Sequence, residues 1–389
     1  MWLCVLQSIL GIDTLPRSAN RRDPRYETGG LMKAPDRFET PLSRRTILRA
    51  SVYAGAGLTL FAPLGFRARA RQDSFNITFI QGIIGDNFYI TMDCGARAKA
   101  ESLGNITIDT QAPERFDQTL QTPILNAVVQ SRPDAIMMAP NDRRGMIAPI
   151  QAAIDAGVPV LCVDTTIDAE IQLGDIATDN VEGGRLAARG LAEQIGGAGK
   201  VFVVNVKPGI STTDQREEGF RGALENEFPE IEYLGQEYCE DDANIAAQVT
   251  SARLQSDPDL AGIFGTNLFA AQGAAAAVRQ QGLQGKVKLV GFDAGPTQVQ
   301  DLRSEVVDLL IAQHPGDIGE IAVQLLHDFL NTGEPLDPRE FVTGATIVTR
   351  DNIEDPEVAR YLYVADCANY TLANAVPMPA ASPAATPTA

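Results

Sequence analysis

Short runs rich in β-branched residues alternate with amphipathic segments from Phe75 onward, and few folds accommodate that order. In GRLAARGLAEQI, for example, Leu186, Leu191 and Ile195 recur at helical spacing. Strands that alternate with helices are typical of a parallel sheet covered on both faces. The strand-like runs are FNITFI, NITID, DAIMMAP, PVLCVD, KVFVVNV, IEYLGQEY, LAGIFGTN, VKLVGFD and VVDLLIAQ. Because these exceed one ordinary sheet, the sequence predicts an α/β fold with two similar β/α lobes, divided near residues 176–184.

Polar and aromatic side chains follow the ends of most of these strands. Ligands of open parallel sheets bind beyond the carboxyl ends of the strands. The side chains at those ends are Asp86, Asn87, Phe88, Tyr89, Asp164, Thr165, Asp214, Arg216, Asn267, Asp293 and Gln313. Acids and amides hydrogen-bond to vicinal hydroxyls, Arg offers a fork of donors, and an aromatic face covers C–H groups. The set therefore predicts a cleft for an uncharged polyol such as a sugar.

Each of these residues also has a purely structural interpretation. Asp164, Asn267 and Asp293 fit turns or helix caps, whereas Gln313 is not a favoured cap. Phe88 and Tyr89 fit a core, and Arg216 fits a solvated helix face. The set is more specific than its members, and the alternatives stay open for single residues.

The charge distribution excludes one class of partner. The net charge is −18, but residues 1–71 hold 12 basic and 5 acidic residues, which leaves 20 basic against 45 acidic residues in the remainder. Such an acidic surface repels nucleic-acid phosphates and anionic lipid headgroups. We therefore expect no nucleic-acid partner.

The basic N-terminus has the pattern of an export leader over residues 1–70. SRRTILR resembles a twin-arginine signal, and it precedes the apolar run Ala50–Phe66 and the small-residue triplet ARA at Ala68–Ala70. Met32 would give a leader of ordinary length, so it is the expected true start. The alternative is an anchor that is not cleaved. The sequence predicts an exported protein, on the periplasmic or cell-surface side of the membrane.

The five cysteines and two histidines show no metal-ligand spacing, and no nucleophile elbow or phosphate loop is present. We expect no metal, no cofactor and no enzyme activity. Cys162 lies in an apolar run and is expected to be buried. A disulfide such as Cys239–Cys367 is possible after export, but spacing alone does not establish it.

From about Phe75 to Arg350 the chain resembles a periplasmic sugar-binding protein of the ribose/galactose type, the solute receptor of an ABC importer. The resemblance rests on DNFY with the following helix, DAIMMAP, AGVPVLCVDT, IATDNVEGGRLAA, TTDQREEGF, IFGTN, LVGFDA and IAQHPGDIGEIAVQLL, in this order. It implies two Rossmann-like lobes, each a parallel sheet sandwiched by helices, joined by three crossings near Thr178, Gln313 and Val342, with the ligand bound between them by hinge closure. The expected bounds are 74–178 with 314–342 for the N-terminal lobe, 179–313 with 343–350 for the C-terminal lobe, 351–375 for a helical extension and 376–389 for a disordered tail.

The resemblance also implies roles for the strand-end residues. Asp164 and Asp293 would accept bonds from sugar hydroxyls, Arg216 and Asn267 would donate, and Phe88 would stack on the sugar. Asp86 would be a polar contact with Asn87 and Tyr89 beside it, Gln313 would supply an amide, and Asp214 competes with Arg216 for the position on the second lobe.

The sequence departs from the family pattern at the ligand. Glu240 and Asp241 stand where a second-lobe aromatic often stacks, Leu268 replaces an acid after Asn267, and the single Trp, Trp2, lies in the leader. These departures favour a pentose, a cyclic polyol or a ligand with an amine over a plain hexose.

The expected function is capture of a sugar-like solute by a monomer that delivers it to a membrane permease. The alternatives are the ligand core of a lactose-repressor-type regulator, which requires a helix-turn-helix where the leader stands, and a solute receptor for a chemotaxis or sensor system.

Overall fold

The structure, a computed structural model, describes residues 74–370. They form two α/β lobes, each built on a six-stranded sheet with helices packed on it. This confirms the predicted fold class. The predicted leader with its twin-arginine pattern and the predicted tail lie outside the described residues.

The N-terminal lobe contains a fully parallel sheet. Its strands are β1 (Phe75–Ile80), β2 (Ile106–Gln111), β3 (Ala135–Met138), β4 (Val160–Val163), β5 (Asp175–Thr178) and β11 (Glu340–Thr343), in the order β11-β5-β4-β3-β1-β2. Its helices are α1 (Asn87–Leu103), α2 (Gln118–Ser131), α3 (Ile147–Asp155) and α9 (Pro315–Thr332). All residues of β3 and β4 are buried, as parallel strands covered on both faces require.

The C-terminal lobe repeats this plan with one antiparallel edge strand. Its strands are β6 (Gly199–Asn205), β7 (Ile231–Tyr238), β8 (Leu260–Gly265), β9 (Lys288–Phe292), β10 (Leu309–Gln313) and β12 (Ala345–Val348), in the order β12-β10-β9-β8-β6-β7. Its helices are α4 (Asn180–Ile195), α5 (Ser211–Glu227), α6 (Ala243–Ser256), α7 (Leu268–Gln280) and α8 (Pro296–Arg303). Only β12 runs antiparallel to its neighbour, β10.

The chain passes between the lobes three times, and each passage is a single residue between two elements. Asp179 separates β5 from α4, His314 separates β10 from α9, and Gly344 separates β11 from β12. The predicted crossing points near Thr178, Gln313 and Val342 lie within two residues of these positions. A rotation of one lobe against the other would be absorbed by the backbone dihedral angles of these few residues, as in a hinge.

Residues 349–370, named here the C-terminal strap, continue from β12 across both lobes. The segment differs from the predicted helical extension: it holds one four-residue helix, α10 (Pro356–Ala359), and a 3₁₀ turn (Cys367–Asn369). The sequence pattern was misleading because Tyr361 and Tyr363 serve contacts with other parts of the chain rather than one helical face.

None of the helices among residues 74–370 is long and apolar enough to span a membrane.

Candidate ligand-binding site

The carboxyl ends of the two sheets face a cavity between the lobes. The strand order reverses at β1/β3 in one lobe and at β6/β8 in the other, and such switch points are where α/β sheets bind ligands. The cavity is lined by Asp86, Phe88, Tyr89, Phe116, Asp164, Val206, Ile210, Thr212, Thr213, Arg216, Asp241, Asn267, Asp293 and Gln313. Both lobes therefore contribute to one site.

The DNFY junction forms the N-terminal wall. Asp86 is the N-cap of α1 and accepts a hydrogen bond from the Phe88 N–H at 2.8 Å. The rings of Phe88 and Tyr89 pack edge to face, with their centroids 5.1 Å apart. Burial, reinforced by the charges of Asp293 and Asp241, raises the pKa of Asp86 well above its usual value. Asp86 therefore caps α1 and also lines the cavity.

Asp164 follows β4 and is held by Tyr89. The Tyr89 hydroxyl donates to the Asp164 carboxylate at 2.7 Å, and both side chains are buried. Burial raises the pKa of Asp164 to about 6, against the opposing effect of the Arg216 charge. Burial, reinforced by the charge of Asp164, in turn raises the pKa of Tyr89, so that it remains a proton donor.

Among residues 74–370, Arg216 is the one cationic side chain that lines the cavity, and it is 2% exposed. Its Nε donates to Asn180 at 2.9 Å and its Nη1 donates to the carbonyl of Thr266 at 2.9 Å. The guanidinium carbon lies 3.8 Å from the centroid of the Phe292 ring, a cation–π contact. These contacts fix the orientation of the donor fork before any ligand arrives.

Asn267 and Asp241 form a second polar pair. Asn267 caps α7 by accepting from the Ala270 N–H at 3.0 Å, and its amide donates to Asp241 at 2.6 Å. Burial raises the pKa of Asp241 to about 6, with Asp293 adding to the effect and Asn267 opposing it. The cap interpretation of Asn267 and its place in the cavity are compatible.

Asp293 and Gln313 connect the site to the hinge. Gln313 donates to Asp293 Oδ1 at 2.7 Å and accepts from the Thr178 hydroxyl at 2.8 Å. Thr178 and Gln313 each precede a crossing residue. A chain of hydrogen bonds therefore joins two crossings to a cavity carboxylate.

Eight of the eleven sequence-predicted residues line the cavity, and three do not. The amide of Asn87 donates to the Val364 carbonyl at 3.1 Å, and the hydroxyl of Thr165 donates to the Pro140 carbonyl at 2.9 Å. Asp214 accepts from the Gly209 N–H at 3.0 Å, at the lip of the cleft. Asn87 and Thr165 serve local structure instead, whereas Asp214 also pairs with Arg143 of the other lobe, at 3.9 Å.

Several residues of the cavity were not among the sequence-predicted ones. Phe116 follows β2, and an aromatic residue after a strand end is a signal that was available. Thr212 and Thr213 lie in the first turn of α5, and the buried Thr213 hydroxyl has no hydrogen-bond partner among residues 74–370. A buried hydroxyl that lacks a partner is suited to bind a ligand. Asp241 was noted in the sequence, but as a replacement for a stacking ring.

Direct contacts between the lobes close the lips of the cleft. Lys207 of the C-terminal lobe donates to the Phe116 carbonyl at 2.7 Å, and the Arg143 N–H of the N-terminal lobe donates to the Gly209 carbonyl at 3.1 Å. The Thr166 N–H donates to the Ser211 hydroxyl at 3.0 Å. The lobes are therefore in a closed arrangement.

The cysteines pair differently from the suggested Cys239–Cys367 bridge. Cys367 forms a disulfide with Cys94 of α1, across a sequence separation of 273 residues. Cys239 is a buried free thiol, and Cys162 is buried as predicted. In residues 74–370 no group of three or more His, Cys, Asp or Glu side chains is placed to hold a metal ion.

Two lobes that close on a polar cavity between facing strand ends define a class of ligand-binding proteins that act by hinge motion. The periplasmic binding protein domain matches residues 77–335, about two thirds of the chain. The chain belongs to this family.

Three relatives illustrate the similarity. An ABC transporter solute-binding protein from Agrobacterium vitis, bound with alpha-D-tagatopyranose, is 43% identical with a TM-score of 0.72, covering 75% of this chain and 100% of its own. A carbohydrate transporter solute-binding protein from Agrobacterium radiobacter, in complex with D-arabinose, is 26% identical with a TM-score of 0.71, covering 74% of this chain and 99% of its own. The ribose import binding protein of Bacillus subtilis is 25% identical over 260 residues, 67% of this chain and 83% of its own.

Proposed function

We propose that this protein is an exported receptor that captures a monosaccharide between its lobes and delivers it to the permease of an ABC importer. The observation that carries the proposal is the composition of the closed cavity: carboxylates, amides, an oriented Arg and aromatic rings from both lobes. We propose that the receptor binds its ligand as a monomer, because the two lobes of one chain face each other across the cavity. The relatives, all named as sugar or solute receptors, favour this function over a repressor-type regulator.

The charge of the cavity selects the kind of sugar. In the described part of the chain, the cavity is lined by one cation, Arg216, and by four buried carboxylates, Asp86, Asp164, Asp241 and Asp293. Sugar hydroxyls donate to carboxylates, whereas a sugar acid or sugar phosphate would place another anion among them at a high electrostatic cost. The ligand is therefore a neutral sugar, and a ketohexose such as D-tagatose is the first candidate because the 43% identical relative holds it. A sugar with an amine is the second choice.

Binding and release require no chemical change in the sugar. The contacts from both lobes exist together only in the closed form, so the ligand stabilises that form over the open one. The permease then distinguishes a loaded receptor from an empty one by its shape. The side chains would work as donors and acceptors: Arg216 and Asn267 toward ring and hydroxyl oxygens, and Asp164 and Asp293 toward hydroxyl hydrogens.

Export to an oxidising compartment is part of the proposal. The Cys94–Cys367 disulfide is of the kind that persists outside the cytosol. The twin-arginine pattern at Ser43–Arg49 and the ARA triplet would direct export and cleavage. Sequencing the N-terminus of the exported protein, isolated from the cells that produce it, tests cleavage. An anchored form would keep the residues before Ala70.

A thermal-shift screen followed by calorimetry tests the function. We expect D-tagatose, D-arabinose or D-ribose to raise the melting temperature, because a ligand that binds only the folded state adds stability with its concentration. D-galacturonate, an anionic sugar of hexose size, is the matched control and should give no shift. D-glucosamine tests the amine. A melting temperature unchanged by every neutral sugar, or raised most by the sugar acid, would contradict the proposal.

A further inference from the structure

We propose that the C-terminal strap is a fourth connection between the lobes, which fixes the binding position of Asp293 through Tyr363 and limits how far the cleft opens. Tyr363 is then a positioning residue for ligand binding. Its affinity test rests on the function proposed above, whereas the opening of the cleft is measured without ligand.

Tyr363 contacts the groups that join the cavity to the hinge. Its hydroxyl donates to Asp293 Oδ1 at 2.8 Å and accepts from the Gln313 N–H at 3.1 Å, and the residue is 4% exposed. Oδ1 of Asp293 thus takes two side-chain donors, Tyr363 and Gln313. No described residue donates to Oδ2 of Asp293, which leaves this oxygen for a ligand hydroxyl. Burial and the charge of Asp293 raise the pKa of Tyr363, so its hydroxyl keeps the proton that it donates.

The strap is attached to the C-terminal lobe up to Tyr363. The Tyr363 N–H donates to the Ala294 carbonyl at 3.0 Å, and Glu354 pairs with Arg303 of α8 at 2.6 Å. Arg350 donates to the Val307 carbonyl at 3.1 Å. This part of the strap moves with Asp293.

The strap is attached to the N-terminal lobe from Val364 onward. The Val364 N–H donates to Thr91 at 2.9 Å and its carbonyl accepts from Asn87 at 3.1 Å, both on α1. The Cys94–Cys367 disulfide adds a covalent bond to the same helix. α1 is the helix that carries Phe88, whose ring centroid lies 5.9 Å from that of Tyr363.

The backbone N–H groups of the strap therefore change from one lobe to the other between two adjacent residues, Tyr363 and Val364, with no unattached residue between them. The same region packs on a crossing residue: the rings of Tyr361 and His314 stack with centroids 3.5 Å apart. A rotation that parts the lobes must turn about this point or break its contacts. Because the disulfide fixes Cys367 to α1, the strap opposes a rotation that would break these contacts.

Affinity tests the positioning role. With D-tagatose, or whichever of D-arabinose and D-ribose binds better, we expect Tyr363→Phe to raise Kd about tenfold or more, as for loss of a bond to a buried carboxylate. Tyr361→Phe, which removes a neighbouring strap hydroxyl, is the matched control and should stay within about twofold. In a double-mutant cycle with Asp293→Asn, the two losses should not add, since Tyr363 acts through Asp293. Full additivity, or wild-type affinity in Tyr363→Phe, would overturn this role.

The restraint on opening is tested in the ligand-free protein. We expect the Cys94→Ser/Cys367→Ser variant to have a larger radius of gyration by small-angle scattering and faster amide exchange around Asp179, His314 and Gly344. Cys239→Ser, which keeps the disulfide, is the control. Unchanged scattering and exchange would overturn the restraint. If no sugar binds, the proposed function fails, but scattering and amide exchange of the ligand-free protein still test whether the strap limits opening. If the double variant does not fold, the same two measurements are made on Tyr363→Phe.

Discussion

Three of the four cavity carboxylates lie on left-handed backbone, with φ values of 65° at Asp164, 60° at Asp241 and 79° at Asp293. Asp tolerates this region better than most residues, but it still costs of the order of 1 kcal/mol or more. Such conformations persist where the surrounding structure enforces them and are concentrated at functional sites. At all three positions the strained turn aims a carboxylate from a strand end into the cavity.

The charge of Asp293 is expected to matter for affinity. Asp293→Asn keeps a residue that tolerates positive φ and removes the charge, so it should weaken sugar binding by about 1.5–3 kcal/mol. Asp155→Asn is the matched control, because that carboxylate is exposed on α3 and lies outside the cavity. Calorimetry with the same sugar compares the two, and equal losses would show that Asp293 has no special place in binding.

Buried carboxylates also predict how stability depends on pH. Burial raises the pKa of Asp164 and of Asp241 to about 6 from the model-peptide value of 3.8. Between these values the folded protein binds protons that the unfolded chain has released, so the free energy of unfolding falls as pH rises from about 4 to 6. Each group contributes up to about 3 kcal/mol.

The ligand-free Asp241→Asn variant should therefore gain stability relative to the wild type as pH rises from 4 to 7. Urea unfolding at several pH values measures this difference, and Asp351→Asn, at an exposed position, is the control. A difference that is constant with pH would contradict the raised pKa of Asp241.

Single residues also mark the limit of sequence reasoning at this scale. Asp214 and Arg216 could not be separated in the sequence, but residues two apart on a helix point in different directions, and only Arg216 lines the cavity. Asp164 and Thr165 are adjacent after β4, and only Asp164 lines the cavity. The strand ends were predictable from their apolar runs, whereas the direction of each side chain depends on a turn that has no period.

At the scale of elements, close helix packing positions Arg216. A Cβ at Gly219 of α5 would lie 2.0 Å from the Val181 carbonyl oxygen, and one at Gly184 of α4 would lie 2.1 Å from the Arg216 carbonyl oxygen. The two helices therefore approach at backbone distance. This contact sets how closely α5 packs against α4, and it thereby places the polar face of α5 at the cavity.

Gly219→Ala is expected to push α5 away from α4, lower the free energy of unfolding by about 1–3 kcal/mol and weaken sugar binding. Gly222→Ala on the same helix is a matched control, because its Cβ would meet nothing within 4 Å. That substitution should stabilise the helix by about 0.5–1 kcal/mol. Urea unfolding and calorimetry measure both effects, and equal behaviour of the two variants would refute the packing argument.

The elements themselves were largely predictable, since their periods are local properties of the chain. The disulfide was not, because Cys94 and Cys367 meet only after the strap has crossed both lobes. The strap shows no regular period of apolar residues for the same reason, because its side chains contact α1, α8 and a crossing residue rather than one surface.

At the scale of the whole molecule, lip contacts and hinge together define two states. Lys207, Arg143 and Thr166 join the lobes in the closed form. Their partners lie across the cleft, so these bonds are absent when the lobes separate. A sugar adds contacts to this closed set and shifts the population toward it.

Saturating sugar is therefore expected to reduce the radius of gyration in small-angle scattering. Lys207→Met, which removes one lip contact outside the polar pocket, should shift the ligand-free protein toward the open form and raise Kd by a few-fold, since closure then costs more. Lys286→Met, at an exposed loop of the same lobe, is the control. Binding of sugar with no change in scattering would contradict closure as the response.

The single-residue crossings have a consequence for biogenesis. The N-terminal lobe lacks α9 and its edge strand β11 until the chain has passed residue 343, and the C-terminal lobe lacks β12 until residue 348. Synthesis therefore completes the two lobes within five residues of each other, after nearly all of the described chain has emerged. Neither lobe can be finished as an early, independent unit on the ribosome, so the last steps of folding close both sheets together.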